Sequence, residues 1–153
     1  MKHNAEDIKV INAEEHVIQR QEMYFGSRGA NPASICSAIA EGALILGAKE
    51  INIKEYKGWW LVSSDVDWLN LPSKIKSDEK LLFEKLYGFP EAGVNWHRSE
   101  IMAKIFSECC FTVLNNELSL VSGELPESNL LNKLKEFSAK WQRSIVFKFI
   151  KKA

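Results

Sequence analysis

The chain has 153 residues, 46% hydrophobic, 26% charged and 10% aromatic, which excludes global disorder and low-complexity structure and fits one globular domain over residues 1–153. Twenty basic residues balance twenty acidic ones, so the net charge is zero and the basic excess of a nucleic-acid binder is missing. No run of about 18 apolar residues is available to cross a bilayer. The polar opening M-K-H-N-A-E-D does not read as a secretory signal. The three cysteines (Cys36, Cys109 and Cys110) include no C-x-x-C pair and read as packed thiols of a cytoplasmic protein. The scattered His3, His16 and His97 offer no metal-ligand spacing.

Ile8-Lys9-Val10 is a short apolar segment, and Asn12 is placed to cap a helix from Ala13 to about Gln21, with Glu14 and Glu15 in the first turn where the helix dipole favours them. Gly26, Ser27, Gly29 and Asn31 mark a loop, and Pro32 suits the first turn of the next helix. Ile35, Ala38, Ile39, Ala43 and Leu46 recur at spacings of three and four, one helical face that Gly47 can end. Ile51 and Ile53 alternate with polar residues, Lys57-Gly58 is a turn, and Glu50 to Ser64 reads as a hairpin. Residues 65–77, with Pro72, are irregular. Asp78 opens a helical pattern through Leu81, Leu82, Lys85 and Leu86 that stops at Gly88.

Ser99 to Phe106 is a further helix. Phe111 to Leu114 and Leu118 to Val121 are strands around a tight turn at Asn115-Asn116. Leu130, Leu131, Leu134 and Phe137 place a helix over Ser128 to about Trp141, and Ser144 to Ile150 is β-prone. Two hairpins and a last strand predict an α+β fold: a two-layer sandwich whose mostly antiparallel, mixed sheet carries helices on one face.

Residues 8–27, and above all Arg20-x-x-Met23-Tyr24-x-Gly26, resemble the opening of the ATPase domain of the GHKL group: gyrase B, the heat-shock chaperones, histidine kinases and mismatch-repair ATPases. The likeness extends over residues 8–72 and, in the order of elements, over 93–150, with Val146 to Phe149 as a closing V-x-F-like strand. It implies a GHKL-like fold with an ATP pocket on the helical face of the sheet. The group's E-x-x-x-N helix motif is reduced to Glu41 with Ile45 at the asparagine position, and an apolar chain cannot hold magnesium. The D-x-G-x-G motif is reduced to Asp65 or Asp67, with Val66 and Trp68 at or near the glycine places, where an indole would fill the adenine cavity. The glycine-rich lid is reduced to Gly93-Val94-Asn95-Trp96, and the threonine before the last strand to Ser144.

The resemblance therefore implies a vestigial pocket at Glu41, Ile45, Asp65 and Trp68, with no catalytic residues, cofactor or metal. Asp65 and Asp67 on their own read as turn formers, Cys109-Cys110 as core, His97-Arg98 with Glu100 as a mixed-charge helix start, and Lys148, Lys151 and Lys152 as a solvated basic end. Trp59, Trp60, Trp68 and Trp96 are candidate aromatic anchors for a partner: successive residues of a strand face opposite ways, so one indole of Trp59-Trp60 can enter the core while its neighbour faces out or meets another element, and Trp68 and Trp96 stand in loops nearby. The expectation is a non-enzymatic protein-binding module, a bacterial immunity protein that neutralises a cognate toxin or nuclease, with no nucleic-acid or membrane partner. Glu14-Glu15 and Glu124 to Glu127 could present local acidic surface to a basic nuclease. A nucleotide-binding regulatory domain of the GHKL type, or an adaptor subunit of a larger assembly, are the alternatives.

Overall fold

A computed structural model describes residues 12–70 and 79–152. Ile8-Lys9-Val10, Pro72 and Asp78 lie outside the described residues. Three helices come first: α1 (Ala13–Gln19), α2 (Gln21–Phe25) and α3 (Pro32–Ile45). Asn12 caps α1 by accepting from the Glu15 amide at 2.8 Å, and Asn31 caps α3 by accepting from the Ser34 amide at 2.8 Å, with Pro32 in the first turn. Helix α1 matches the expected first helix to within two residues; after Arg20, whose φ of -125° and ψ of 43° are not helical, α2 follows as a short helix the sequence reading did not include.

The hairpin β1 (Ile51–Tyr56) and β2 (Trp59–Ser64) turns at Lys57 and Gly58, both at positive φ (50° and 85°), the conformation of a two-residue turn that matches strand twist. A single 3-10 segment, Glu79–Phe83, stands where a longer helix was expected. Helix α4 (Glu100–Ile105) leads into β3 (Ser107–Leu114) and β4 (Glu117–Ser122), joined by Asn115 and Asn116 at φ 48° and 70°. Helix α5 (Ser128–Ser138) is capped by Glu127, whose carboxylate accepts from the amides of Asn129 (3.0 Å) and Leu130 (2.8 Å). Strand β5 (Arg143–Phe149) closes the chain's sheet.

The fold is α+β with five strands in the order β1-β2-β5-β3-β4, and every pairing among them is antiparallel, so no parallel pair makes the sheet mixed. The last strand is inserted between the two hairpins. Both edges of β5 are therefore paired, and with helices over both faces Arg143 to Phe147 is buried without interruption.

Two cores follow from that. Val17, Ile35, Ile39 and Ala43 of the early helices and Ile101 and Ile105 of α4 pack on one face, over Val62, Cys110, Ile145 and Phe147. On the reverse face Leu134, with Leu130, Leu131 and Phe137 of α5, covers Trp59, Leu61, Phe111, Val113 and Val146. The expectation of helices on one face holds for α1 to α4; α5 takes the other side. The physical reason is the pattern of the strands. Trp59-Trp60, Cys109-Cys110-Phe111 and Ile145-Val146-Phe147 are apolar at odd and even positions alike, and a strand so patterned leaves too much apolar area in water unless both faces are covered.

One buried ion pair ties the sheet to the connection after β2. The Arg143 guanidinium, on a side chain 2% exposed, donates from Nε to Asp67 Oδ1 at 2.8 Å and from Nη2 to Oδ2 at 3.1 Å. Asp67 forms the expected turn, accepting from the Leu69 amide at 3.2 Å, but it is not simply solvated: it also neutralises a buried arginine 76 residues away. Removing one partner of such a pair strands the other charge. The substitution Asp67→Ala is expected to lower unfolding stability by about 3 kcal/mol, read as a reduced urea midpoint at unchanged slope.

Candidate functional site

Of the residues singled out by sequence, Glu41, Ile45 and Trp96 converge on one place, the cleft between α3 and the segment leading into α4. One face of α3 supplies Ala38, Glu41, Gly42 and Ile45; the opposite wall is Phe89, Ala92, Trp96, His97, Ser99 and Glu100. The segment 88–97 is a compact loop closed on itself. Gly88 and His97 form an antiparallel bridge, the Phe89 amide donates to Trp96 O at 2.8 Å, and the Arg98 amide donates to Tyr87 O at 2.8 Å.

Two glycines shape the cleft. A Cβ on Gly42 would stand 3.2 Å from the Phe89 ring, so the missing side chain is what lets that ring lie against α3. Gly93, at φ 143°, lies under the Trp96 indole, whose Cδ1 would be 3.0 Å from a Cβ there. With Phe89 seated, the cleft encloses only about 30 Å³, room for a water molecule and far below the 300–1,000 Å³ usual for a small-molecule site.

Beneath the cleft lies a buried charge cluster. Arg98 and Glu100 are 7% and 2% exposed. Arg98 Nε donates to Glu100 Oε1 at 2.7 Å, its Nη2 donates to the same oxygen, and Nη2 also donates to the Trp68 carbonyl at 3.2 Å. The guanidinium carbon lies 5.2 Å from the centre of the Phe89 ring. The sequence reading of a mixed-charge helix start holds, with Glu100 in the first turn of α4, but it did not foresee that the charges are buried and paired. The signal available was the composition of α4 itself: Ile101, Met102, Ala103 and Ile105 are all buried, so a charge at its N-terminus has no route to water.

The individual residues fall as follows. Glu41 and Ile45 face the cleft mouth, Glu41 exposed and Ile45 41% exposed. Trp68 is 2% exposed and packed into the first core, and its indole N–H has no hydrogen-bond partner among the described residues. Trp59 is 3% exposed in the second core, and Trp60 is half-buried against the first. Trp59 and Trp68 are therefore corrected as partner anchors: helices on both faces of the sheet leave neither ring free. Trp96 alone of the four is mostly in water, at 54%.

Asp65 does not line the cleft. Its Oδ1 accepts from the amides of Glu50 at 3.2 Å and Lys49 at 3.0 Å and so fixes the entry to β1. Ser144, half of a buried hydroxyl pair with Ser63 at 2.7 Å, is likewise structural. Lys152, at the basic end, reaches Glu14 at 3.3 Å, and its carbonyl accepts from Gln21 Nε2 at 2.6 Å. The thiols are inert by burial, which pushes Cys36 up to about 12, Cys109 up to about 11 and Cys110 higher still. Tyr24 of the Met-Tyr motif bonds His16 Nδ1 at 2.8 Å and meets the His97 ring at 5.3 Å, joining α2 to the loop. Among the described residues no three His, Cys, Asp or Glu side chains gather in a form that could hold a metal ion, and no helix is long and apolar enough to cross a membrane.

The Glu50 and Lys49 amides hold the Asp65 carboxyl below its ordinary 3.8. A depressed folded-state value stabilises above the unfolded value and is lost as pH falls through the folded one. The stability gap between wild type and Asp65→Asn, followed by urea unfolding, is therefore expected to be constant above about pH 5 and to close in more acid solution.

No family model, curated protein or solved structure matches the chain.

Proposed function

We propose that this chain is a non-catalytic protein-binding module on a GHKL-like scaffold whose nucleotide pocket has been filled, and that it serves as a bacterial immunity protein, neutralising a toxin by direct contact. The observation that carries this reading is the closed cleft beside Glu41. The Phe89 ring on Gly42 and the Arg98–Glu100 pair beneath it take up the volume that a nucleotide would need. Ile45 at the cleft mouth offers a cation no oxygen.

The same loop and the end of α3 present apolar surface to water. Val94 is 89% exposed, Trp96 54% and Ile45 41%. Trp96 joins them: it shares the cleft with Ile45, and with Val94 it lines an adjoining surface hollow of about 230 Å³. A contiguous apolar patch carrying a tryptophan is the usual form of an interaction surface. The patch belongs to a hydrogen-bonded loop, so little ordering cost falls due on binding.

Calorimetric titration with magnesium–ATP is expected to give no binding heat. Co-expression with a toxic polypeptide encoded beside this gene is expected to restore growth. Replacing the indole in Trp96→Ala is expected to weaken that complex by about 2 kcal/mol, some thirtyfold. Micromolar magnesium–ATP binding would overturn the reading in favour of a nucleotide-binding regulator.

A further inference from the structure

A second surface lies on the other side of the molecule, where strand β1 is an outer edge of the sheet, paired with β2 on one side and with no described strand on the other. The register with β2 fixes which of its backbone groups are free. Tyr56 and Trp59 flank a two-residue turn and so form a hydrogen-bonded pair, as do Lys54 with Leu61 and Asn52 with Ser63. The N–H and C=O groups of the alternate residues, Ile51, Ile53 and Glu55, therefore point outward.

Beside that edge runs an open groove of about 400 Å³. Its walls come from β1 (Asn52, Lys54) and from α5 and its exit (Lys133, Glu136, Phe137, Lys140, Trp141), with nothing from β2, so it opens away from the sheet. Three ammonium groups and one carboxylate line it. Lys54 Nζ lies 4.4 Å and Lys133 Nζ 5.3 Å from the centre of the Phe137 ring, which gathers both cations over one aromatic floor. Glu136 answers only Lys133, at 3.6 Å and largely in water. Among the described residues Lys54 and Lys140 have no carboxylate within ion-pair distance. On the opposite face of β1, Ile53 is 41% exposed.

We infer that the β1 edge and its lysine groove form a docking site for an extended acidic segment of a partner protein, added to the sheet as a sixth strand. The period of a strand makes the two features act together. Alternate side chains of an incoming strand fall on the α5 side, where Lys54, Lys133 and Lys140 select carboxylates. The others fall beside Ile53, which selects an apolar side chain. The main chain bonds to the outward groups of Ile53 and Glu55. A lysine on an edge strand also serves to discourage pairing. That role does not require two further lysines on a separate helix converging on the same groove. The site lies across the sheet from the Trp96 patch, so it stands or falls independently of that surface and of the immunity reading.

The test uses the full chain and a synthetic octapeptide of alternating glutamate and valine. Fluorescence anisotropy is expected to show saturable binding that weakens as salt is raised. Hydrogen exchange is expected to show new protection at the amides of Ile53 and Glu55. The double substitution Lys54→Glu with Lys133→Glu is expected to cost at least about tenfold in affinity. Circular dichroism of that variant confirms that its fold is intact, and Lys133→Glu alone, at an exposed site on α5, is expected to weaken binding in the same direction. A lysine–valine octapeptide, and a glutamate–valine peptide N-methylated on alternate amides to block strand pairing, are both expected not to bind. Equal binding of the lysine–valine or N-methylated peptide would overturn the inference. So would absence of protection at Ile53 and Glu55, or a preference for single-stranded polyuridylate over the acidic peptide.

Discussion

The Arg98 guanidinium is the point on which the candidate site depends. It is buried, and it touches three separate stretches of chain: Glu100 at the start of α4, the Trp68 carbonyl in the connection after β2, and the Phe89 ring in the loop before α4. Taking a charge of that size out of water costs several kcal/mol unless it is matched. Here the match is a carboxylate two residues away, a backbone carbonyl and an aromatic face. The geometry therefore cannot drift. If Phe89 left Gly42, or if the connection carrying Trp68 moved, the charge would lose partners it cannot replace from solvent. The buried cation thereby fixes the wall of the cleft that faces α3, through the Phe89 ring and Glu100.

The Asp67–Arg143 pair does for the sheet what Arg98 does for the cleft. Strand β5 ties the two hairpins into one sheet, and its first residue places a guanidinium under the connection that follows β2. Asp67 neutralises that charge and Trp68 follows it into the core. The connection is thereby pinned at two successive residues, one by charge and one by apolar area.

Local rules made much of the fold legible in the sequence. Asn12 and Asn31 cap because a short polar side chain reaches the free amides of a first helical turn. Lys57-Gly58 and Asn115-Asn116 turn because these residues tolerate positive φ better than β-branched ones. What the sequence concealed was long-range. Burial on both faces of β2, β3 and β5 was written in the pairs Trp59-Trp60 and Cys109-Cys110, yet an apolar run reads equally well as the interior of a helix. Strand β3 accordingly begins four residues before its expected start at Phe111. The site residues divide in the same way. Glu41, Ile45 and Trp96 meet because one helix face and one loop bring them together. The turn at Asp67 and the helix start at Arg98 and Glu100 were legible, but their long-range partners, Arg143 and the Trp68 carbonyl, were not, being 76 and 30 positions away. No local pattern encodes a pairing across such a distance.

The two surfaces left open differ in physical kind. The Trp96 loop is apolar, pre-ordered and attached to the buried cation, so its recognition rests on shape and desolvation and responds weakly to salt. The β1 edge offers main-chain hydrogen bonds and mobile ammonium groups, so its recognition rests on strand geometry and charge and fades as ions screen it. A chain with zero net charge can still present a strongly basic groove, because Lys54, Lys133 and Lys140 are drawn to one place by an edge strand and a helix that lie far apart in sequence. Charge balance summed over a sequence therefore says little about the field at one surface. Helices α3 and α5 pack on opposite faces and so put the two surfaces on opposite sides of the sheet, so that occupation of one leaves the other accessible.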